Sequence, residues 1–164
     1  MKNSTLPMEK PRVLYMEDDE SLAKLVQRRL QRHGIEVDTV PDGLVGLERL
    51  KTGSYDVVVL DYKMPNLDGM GVLKRLVADP SSPAAVMVSA VGSLDVAVEA
   101  MRLGAVDYVV KEAGGGFLRL LPGTLERVLE KQRLIREKER VEAALQEREQ
   151  LFRALVESTQ TVPW

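Results

Sequence analysis

Residues that could carry out chemistry follow four of the apolar runs in this sequence. Glu17 and Asp18 follow the first run, Asp61 and Ser89 follow two later runs, and Lys111 follows the last. Where such runs form the parallel strands of an α/β sheet, ligands bind beyond their carboxyl ends. Three carboxylates, a hydroxyl and an ammonium group are therefore expected to meet at one edge of a sheet.

This set of groups suits a phosphoryl acceptor that binds a divalent cation. Carboxylates that pack together repel one another, so protonation or a bound cation must relieve them. Oxygen ligands without histidine or sulfur suit Mg²⁺, which also neutralises phosphoryl oxygens during transfer. An aspartate can act as the nucleophile, and lysine and serine can bind phosphate. We therefore expect Asp61 to accept a phosphoryl group beside Mg²⁺ and not to act as an enzyme with turnover.

The first two thirds of the chain alternate short apolar runs with helical patterns. Strands are predicted at 12–16, 37–40, 57–60, 84–88 and 106–110, and helices at 22–30, 44–50, 70–77 and 94–103. Strands that alternate with helices indicate a parallel sheet with helices on both faces. The continuous apolar run Val57–Leu60 suits a sheet that is covered on both sides. The predicted fold class is α/β, with a doubly wound five-stranded parallel sheet.

The composition changes after Lys111. Residues 112–116 include three glycines and are predicted to form a flexible turn, and Pro122 suits the first turn of a helix. No Gly or Pro occurs from 124 to 156, a span longer than the ~11–12 residues of an average helix. The predicted organisation is a tail at 1–11, a domain at 12–123, a long helix at 124–157 and a tail at 158–164.

The long helix carries a repeat typical of a coiled coil. Its seam consists of Leu134, Val141, Leu145, Phe152 and Leu155, at spacings of 7, 4, 7 and 3 residues, with Lys138 and Arg148 interrupting it. Such spacings fit a heptad pattern, so we expect a homodimer that pairs through an imperfect coiled coil. The alternative is a solvated single helix that folds back on the domain.

Composition argues against several classes of protein. The net charge of −2 gives no electrostatic reason to expect nucleic acid or an anionic membrane as a partner. The absence of cysteine excludes disulfides and Cys-ligated zinc, and the single histidine, His33, cannot form a multi-histidine metal site. The N-terminus lacks the apolar core of a signal peptide, and no apolar run reaches the roughly 18 residues of a membrane span. The expected location is cytoplasmic.

Four segments, in this order and at these spacings, resemble the receiver domain of two-component response regulators. They are Tyr15–Asp19, Val58–Gly69, Val86–Ala90 and Gly104–Lys111, and the resemblance covers roughly residues 12–130. It implies a flavodoxin-like fold with strand order 2-1-3-4-5. It also implies a sensor histidine kinase or a phosphotransfer protein as the partner that donates the phosphoryl group.

Matched residue by residue, the resemblance implies a role for each site residue. Asp61 is the phosphorylated nucleophile, and Tyr108 is an aromatic switch. Mg²⁺ is held by Glu17, Asp18, Asp61 and the backbone carbonyl of Lys63, and of the first two Asp18 is expected to be the direct ligand. Ser89 and Lys111 bind the phosphoryl group. Phosphorylation adds negative charge and hydrogen-bond acceptors. The resemblance implies that Ser89 and Tyr108 report this change to a partner, and we expect it to alter the pairing of the C-terminal helices.

The sequence departs from the family pattern at three places. Glu112 follows Lys111 where the family has proline. Because a cis bond before a residue other than proline costs about 2.5–4 kcal/mol, we expect a trans bond there or a rearranged loop. Lys63 places a cation two residues past Asp61, where it either screens the phosphoryl group from water or crowds it. The last helix continues into the predicted coiled coil without a flexible linker.

Three alternatives fit parts of the pattern. A phosphatase of the haloacid dehalogenase kind would carry Asp-x-Asp after its first strand, whereas here the nucleophile follows the third strand and position 63 is lysine. A flavin- or nucleotide-binding module needs a first loop that can hold phosphate, and Glu17–Glu20 would repel it. A receiver that is never phosphorylated and acts as a dimerising scaffold is the third alternative.

A short segment near the C-terminus suggests a larger context. Residues 145–159 resemble the coiled-coil lead-in to a sensory PAS domain. This resemblance predicts that the chain is a fragment of a longer signalling protein. The sequence carries no visible helix-turn-helix pattern, so transcription control by this chain alone is not expected.

Overall fold

The computed structural model describes residues 9–90, 94–112 and 114–160, the last without its side chain. Residues 1–8 and 161–164 of the predicted tails, and Ala113 of the predicted turn, lie outside the described residues. The strands are β1 (Arg12–Met16), β2 (Glu36–Val40), β3 (Val57–Asp61), β4 (Ala84–Ser89) and β5 (Asp107–Val110). The helices are α1 (Glu20–Gln31), α2 (Gly43–Thr52), α3 (Gly69–Val77), α4 (Leu94–Leu103) and α5 (Gly116–Gln160).

Aspartates begin the three helices that follow β1, β2 and β3. The side chains of Asp19, Asp42 and Asp68 each accept a hydrogen bond from a backbone N–H three residues later, at 2.8–3.1 Å. Such caps satisfy N–H groups that have no partner inside the helix. No more than three residues separate α1 and α2 from the strands before them, whereas a loop of seven residues separates β3 from α3.

The five strands are parallel, and their order is β2-β1-β3-β4-β5. This order confirms the predicted doubly wound topology. Val13 pairs with Val57 across β1 and β3, and Asp61 pairs with Val88 across β3 and β4. Because all the strands run in one direction, the residues that follow them lie along one edge of the sheet.

Apolar side chains cover both faces of the sheet. One face packs against α1 and α5, and the core on this side includes Val13, Tyr15, Val57 and Val59 of the sheet and Phe117 of α5. The other face packs against α2, α3 and α4, and the core on this side includes Leu14, Met16, Val58 and Leu60 of the sheet and Leu73 of α3. Successive side chains of a strand point to opposite faces. In β1 and β3, the odd-numbered residues of the apolar core therefore face α1 and α5.

Helix α5 begins earlier than the sequence predicted. It starts at Gly116, so Pro122 lies inside the helix rather than in its first turn. Phe117, Leu121 and Leu125 are almost fully buried against the sheet. Burying each such side chain stabilises the fold by about 1.5–3 kcal/mol. Together these contacts outweigh the ~3 kcal/mol that an interior proline costs a helix.

Two compact units make up the chain, one ending at Leu129 and the other beginning at Glu130. In the first unit, Val128 of α5 belongs to the core, so the unit extends beyond the predicted domain end at residue 123. In the second unit, residues 158–160 are helical rather than part of the predicted tail. In the part of the chain that the structure describes, no helix is both long and apolar enough to cross a membrane.

Candidate functional site

Five of the predicted site residues lie at the carboxyl edge of the sheet. Asp61 is the last residue of β3 and Ser89 is the last of β4. Glu17 and Asp18 follow β1 directly, and Lys111 follows β5. The backbone N–H groups of Glu17 and Lys111 donate to carbonyls of the neighbouring strands, at 2.9 and 2.7 Å. Both side chains therefore extend from a backbone that the sheet holds in place.

The Lys111 ammonium group joins two buried carboxylates. Its Nζ contacts Glu17 Oε2 and lies 3.1 Å from Asp61 Oδ2. Glu17 is 3% exposed and Asp61 is 6% exposed. The bond between Lys111 and Glu112 is trans, as expected, because no cis peptide bond occurs among the described residues. The sheet thus brings one positive and two negative groups together away from bulk water.

Glu17 is held by a residue that sequence reasoning missed. Tyr15 Oη donates to Glu17 Oε2 over 3.0 Å, and the Asp19 backbone N–H donates to Glu17 Oε1 over 3.2 Å. Tyr15 is fully buried in β1. Residues two apart on a strand point to the same face, and this spacing is the one signal in the sequence that could have paired Tyr15 with Glu17.

The acidic cluster has the ligand chemistry of a divalent-cation site. Glu17, Asp18 and Asp61 each offer one carboxylate oxygen, and these oxygens lie within 4.8 Å of one another. Two of the three residues are buried, whereas Asp18 is exposed. Mg²⁺ prefers oxygen ligands and usually keeps several waters. A cluster that is closed on one side and open on the other suits that preference.

Burial changes the acidity of the groups in this cluster. It raises the pKa of Asp61 to about 6, with the negative charge of Glu17 acting in the same direction and Lys111 acting against both. Burial and the same two carboxylates also raise the pKa of the Tyr15 hydroxyl. Tyr15 therefore stays protonated and acts as a donor. A bound cation would favour the ionised form of Asp61.

A cavity of about 280 Å³ adjoins the carboxylates. It is lined by Asp18, Asp61, Tyr62, Lys63, Ser89, Ala90, Val96 and Lys111. Ser89 is buried at the end of β4, and Lys63 is exposed two residues past Asp61. Asp61 therefore faces a space that the predicted hydroxyl and ammonium groups share.

Tyr108 is not among the residues that line this cavity. It is half-buried in β5, pairs with Met87 of β4 and packs among the residues that face α2, α3 and α4. Ser89 follows Met87 by two positions, so alternation assigns it to the same face. The two residues of the predicted switch thus share a face, while the movement that would couple them stays a prediction.

The loop between β3 and α3 is held at both ends. The Gly69 N–H donates to the Tyr62 carbonyl over 3.0 Å. Asn66 has a φ of 67°, a left-handed conformation that asparagine tolerates, and its side chain donates to Asp42 over 3.1 Å. A hydrogen bond from the Val45 backbone N–H keeps the pKa of Asp42 low. These bonds fix the segment that carries the predicted carbonyl ligand.

Comparison with known proteins identifies the family. The family model described as "Response regulator receiver domain" matches residues 13–119. The chain belongs to this family. It therefore contains the receiver domain of a two-component response regulator, and the resemblance drawn from the four sequence segments is confirmed. That the long C-terminal helix leads into a PAS domain stays a prediction.

Curated relatives of the receiver domain are longer proteins. The transcriptional regulatory protein CseB of Streptomyces avermitilis is 36% identical over 110 residues, which are 67% of this chain and 46% of that protein. The transcriptional regulatory protein CutR of Streptomyces coelicolor is 39% identical over 100 residues, 61% of this chain and 46% of that protein. The chain thus spans less than half the length of these relatives. Both relatives are named transcriptional regulatory proteins, so the expectation that this protein has no nucleic-acid partner finds no support in the comparison.

Solved structures agree with the fold. The receiver domain of the Francisella response regulator 1452 superposes with a TM-score of 0.68 at 29% identity, covering 74% of this chain and 98% of that one. The part of the chain that superposes is of receiver-domain size. The flavodoxin-like fold predicted from the sequence is confirmed.

Proposed function

We propose that Asp61 accepts a phosphoryl group from a sensor histidine kinase or a phosphotransfer protein. One observation carries the proposal: the Asp61 carboxylate lies beside the Lys111 ammonium group, at 3.1 Å, and lines the cavity. With a pKa of about 6, Asp61 is largely ionised at neutral pH and can act as a nucleophile.

Magnesium is the proposed cofactor. The carboxylates of Glu17, Asp18 and Asp61, whose oxygens lie within 4.8 Å of one another, would hold it together with the Lys63 carbonyl. When bound, Mg²⁺ neutralises charge on the phosphoryl oxygens. Two buried carboxylates that share one ammonium group leave a negative charge uncompensated, which favours binding of a cation.

The transfer itself is a displacement at phosphorus. An Asp61 oxygen forms the new P–O bond as the bond to the donor breaks, and the donor group leaves with the electron pair of that bond. The product is a mixed anhydride on Asp61. Lys111 balances its negative charge and Ser89 donates a hydrogen bond to it. Water later attacks the phosphorus, the P–O bond to Asp61 breaks, and inorganic phosphate leaves as the carboxylate is restored. The domain therefore acts as a switch and not as an enzyme with an external substrate.

The proposed output is a change in helix pairing. Movement of Ser89 towards the phosphoryl group would draw Tyr108, which lies on the same sheet face, into a new position. The C-terminal helix would then pair differently with that of a second copy, as a cytoplasmic homodimer. The alternative is a receiver that is never phosphorylated and serves only as a dimerising scaffold.

Phosphorylation can be tested with acetyl phosphate and Mg²⁺, followed by intact mass measurement of the full chain. The wild type should gain one phosphoryl group, and chelation of Mg²⁺ should prevent this. Asp61→Asn should gain none. Asp56→Asn is the matched control, because Asp56 lies just before β3, at the opposite end of the strand from Asp61. Its carboxylate accepts a hydrogen bond from the Arg12 backbone N–H at 2.8 Å. A wild type that gains no phosphoryl group would favour the scaffold.

A further inference from the structure

Glu17 is the most constrained carboxylate of the site. Its Oε2 accepts from both Tyr15 Oη and Lys111 Nζ, while its Oε1 accepts from the Asp19 backbone N–H. Lys111 continues the chain of contacts to Asp61 Oδ2 at 3.1 Å. A hydroxyl in the interior of the sheet is thus linked to the phosphoryl acceptor through one carboxylate and one ammonium group.

Apolar packing alone does not explain why residue 15 is a tyrosine. Its ring is fully buried among the valines of β1, β3 and β4 that face α1 and α5. A phenylalanine would fill the same space without bringing a hydroxyl into the core. A buried hydroxyl costs free energy unless it is hydrogen-bonded, and this one bonds to a carboxylate of the site, at 3.0 Å.

We propose that Tyr15 is a positioning residue of the phosphoryl-acceptor site. Its hydroxyl holds the Glu17 carboxylate, and through it the Lys111 ammonium group, in the arrangement that receives Mg²⁺ and the phosphoryl group. The inference rests on the proposed function and adds a residue that acts on the site from inside the core. Tyr15 itself touches neither the cavity nor the nucleophile in the described contacts.

The Tyr15 hydroxyl should affect Mg²⁺ binding because Glu17 has two competing roles. Its Oε2 neutralises Lys111, and the same side chain supplies one oxygen of the acidic cluster. Without the Tyr15 bond, Glu17 keeps its bonds to the Asp19 N–H and to Lys111, but Oε2 loses the contact that holds it independently of Lys111. The placement of this oxygen relative to the ammonium group is then less restricted. Groups that orient metal ligands typically contribute 10–100-fold to metal affinity.

The test compares two tyrosines that differ in location but not in chemistry. Tyr15→Phe and Tyr55→Phe each remove one hydroxyl that bonds a carboxylate, since Tyr55 Oη donates to Asp38 over 2.6 Å. Tyr55 precedes β3 and so lies at the opposite end of that strand from Asp61. Both variants keep the ring, and both should melt at a lower temperature than the wild type. Mg²⁺ affinity is then measured for each full-length chain by calorimetric titration.

Tyr15→Phe should weaken Mg²⁺ binding by about tenfold or more, whereas Tyr55→Phe should bind as the wild type does. A second measurement asks whether Tyr15 acts through Glu17. Because residues that act as a unit are not additive, adding Tyr15→Phe to Glu17→Gln should change the Mg²⁺ affinity no further. The rate of phosphorylation by acetyl phosphate should follow the same pattern.

Each outcome bears on one proposal. Wild-type Mg²⁺ affinity in Tyr15→Phe, or an undiminished effect of this change on top of Glu17→Gln, would overturn the role of Tyr15. An equal loss of Mg²⁺ affinity in Tyr55→Phe would show that the loss in Tyr15→Phe comes from general destabilisation. It would therefore also overturn the role of Tyr15. A wild type that binds no Mg²⁺ and gains no phosphoryl group would instead defeat the proposed function, before Tyr15 is considered.

Discussion

Two buried carboxylates and one ammonium group set the electrostatics of this site. Glu17 and Asp61 both contact Lys111, and one positive charge does not balance two negative ones. An uncompensated buried charge is expensive, so the group either takes up a proton or attracts a cation. The raised pKa of Asp61 is the first response, and the proposed Mg²⁺ is the second.

Protonation of Asp61 makes stability depend on pH. Its pKa is about 6 in the folded protein against an ordinary value of 3.8. Between these values the folded state retains a proton that the unfolded state has released, so the free energy of unfolding falls as pH rises. At about 1.4 kcal/mol per pH unit, ionisation of Asp61 lowers the free energy of unfolding by on the order of 3 kcal/mol at neutral pH. Asp61→Asn removes this effect.

Urea denaturation of the wild type and Asp61→Asn, without Mg²⁺, measures this effect. The stability of the variant relative to the wild type should increase by about 2–3 kcal/mol between pH 4 and pH 7. Saturating Mg²⁺ should reduce the difference at pH 7, because it stabilises the ionised carboxylate of the wild type. Parallel pH profiles for the two proteins would contradict the raised pKa.

At the scale of elements, helix α3 packs directly against the backbone of the acceptor. A Cβ added at Gly69 would lie 2.4 Å from the carbonyl oxygen of Asp61 and 3.0 Å from Tyr62 Cα. Real Cβ atoms do not approach backbone this closely. The absence of a side chain at Gly69 therefore allows the first turn of α3 to lie against the end of β3.

Gly69→Ala should destabilise the protein and displace the end of β3. Overpacking of this kind costs about 1–3 kcal/mol, and the displaced acceptor should be phosphorylated more slowly. Gly123→Ala is the control, since a Cβ at this position of α5 meets nothing within 4 Å. It should stabilise the helix by about 0.5–1 kcal/mol. Denaturation midpoints and phosphorylation rates measure both effects, and equal stability of the two variants would exclude the close contact.

At the scale of the whole molecule, the second unit presents an apolar seam. Leu134, Val141, Leu145, Phe152 and Leu155 are each more than half exposed. An apolar stripe at heptad spacing is typical of a helix that pairs with another helix. Lys138 and Arg148 lie on the same seam, and polar residues at such positions lower stability while restricting register and oligomeric state.

Self-association should therefore depend on the seam and not on the opposite face. Leu145→Glu and Phe152→Glu each place a charge in the predicted interface and should shift the protein towards the monomer in light scattering. Gln150→Glu adds the same charge at a helix position away from the seam, and it should leave association unchanged. A wild type that stays monomeric at high concentration would rule out the predicted dimer.

Sequence by itself determined the fold class and the groups available for chemistry. Continuous apolar runs such as Val57–Leu60 specify buried strands, and helical patterns between them leave a parallel sheet as the simple solution. In such a sheet the residues after the strands must share an edge. Asp61, Ser89 and Lys111 could therefore be assigned to one site from their positions along the chain.

Only the tertiary structure decided how these groups contact one another. Lys111 lies between Glu17 and Asp61 because three separate strands place their ends together, and a sequence states no distance between strands. Helix α5 begins at Gly116 because burial against the sheet overrides the local preference of Pro122. The Tyr15 hydroxyl meets Glu17 inside the core, where the sequence reads only as a buried strand.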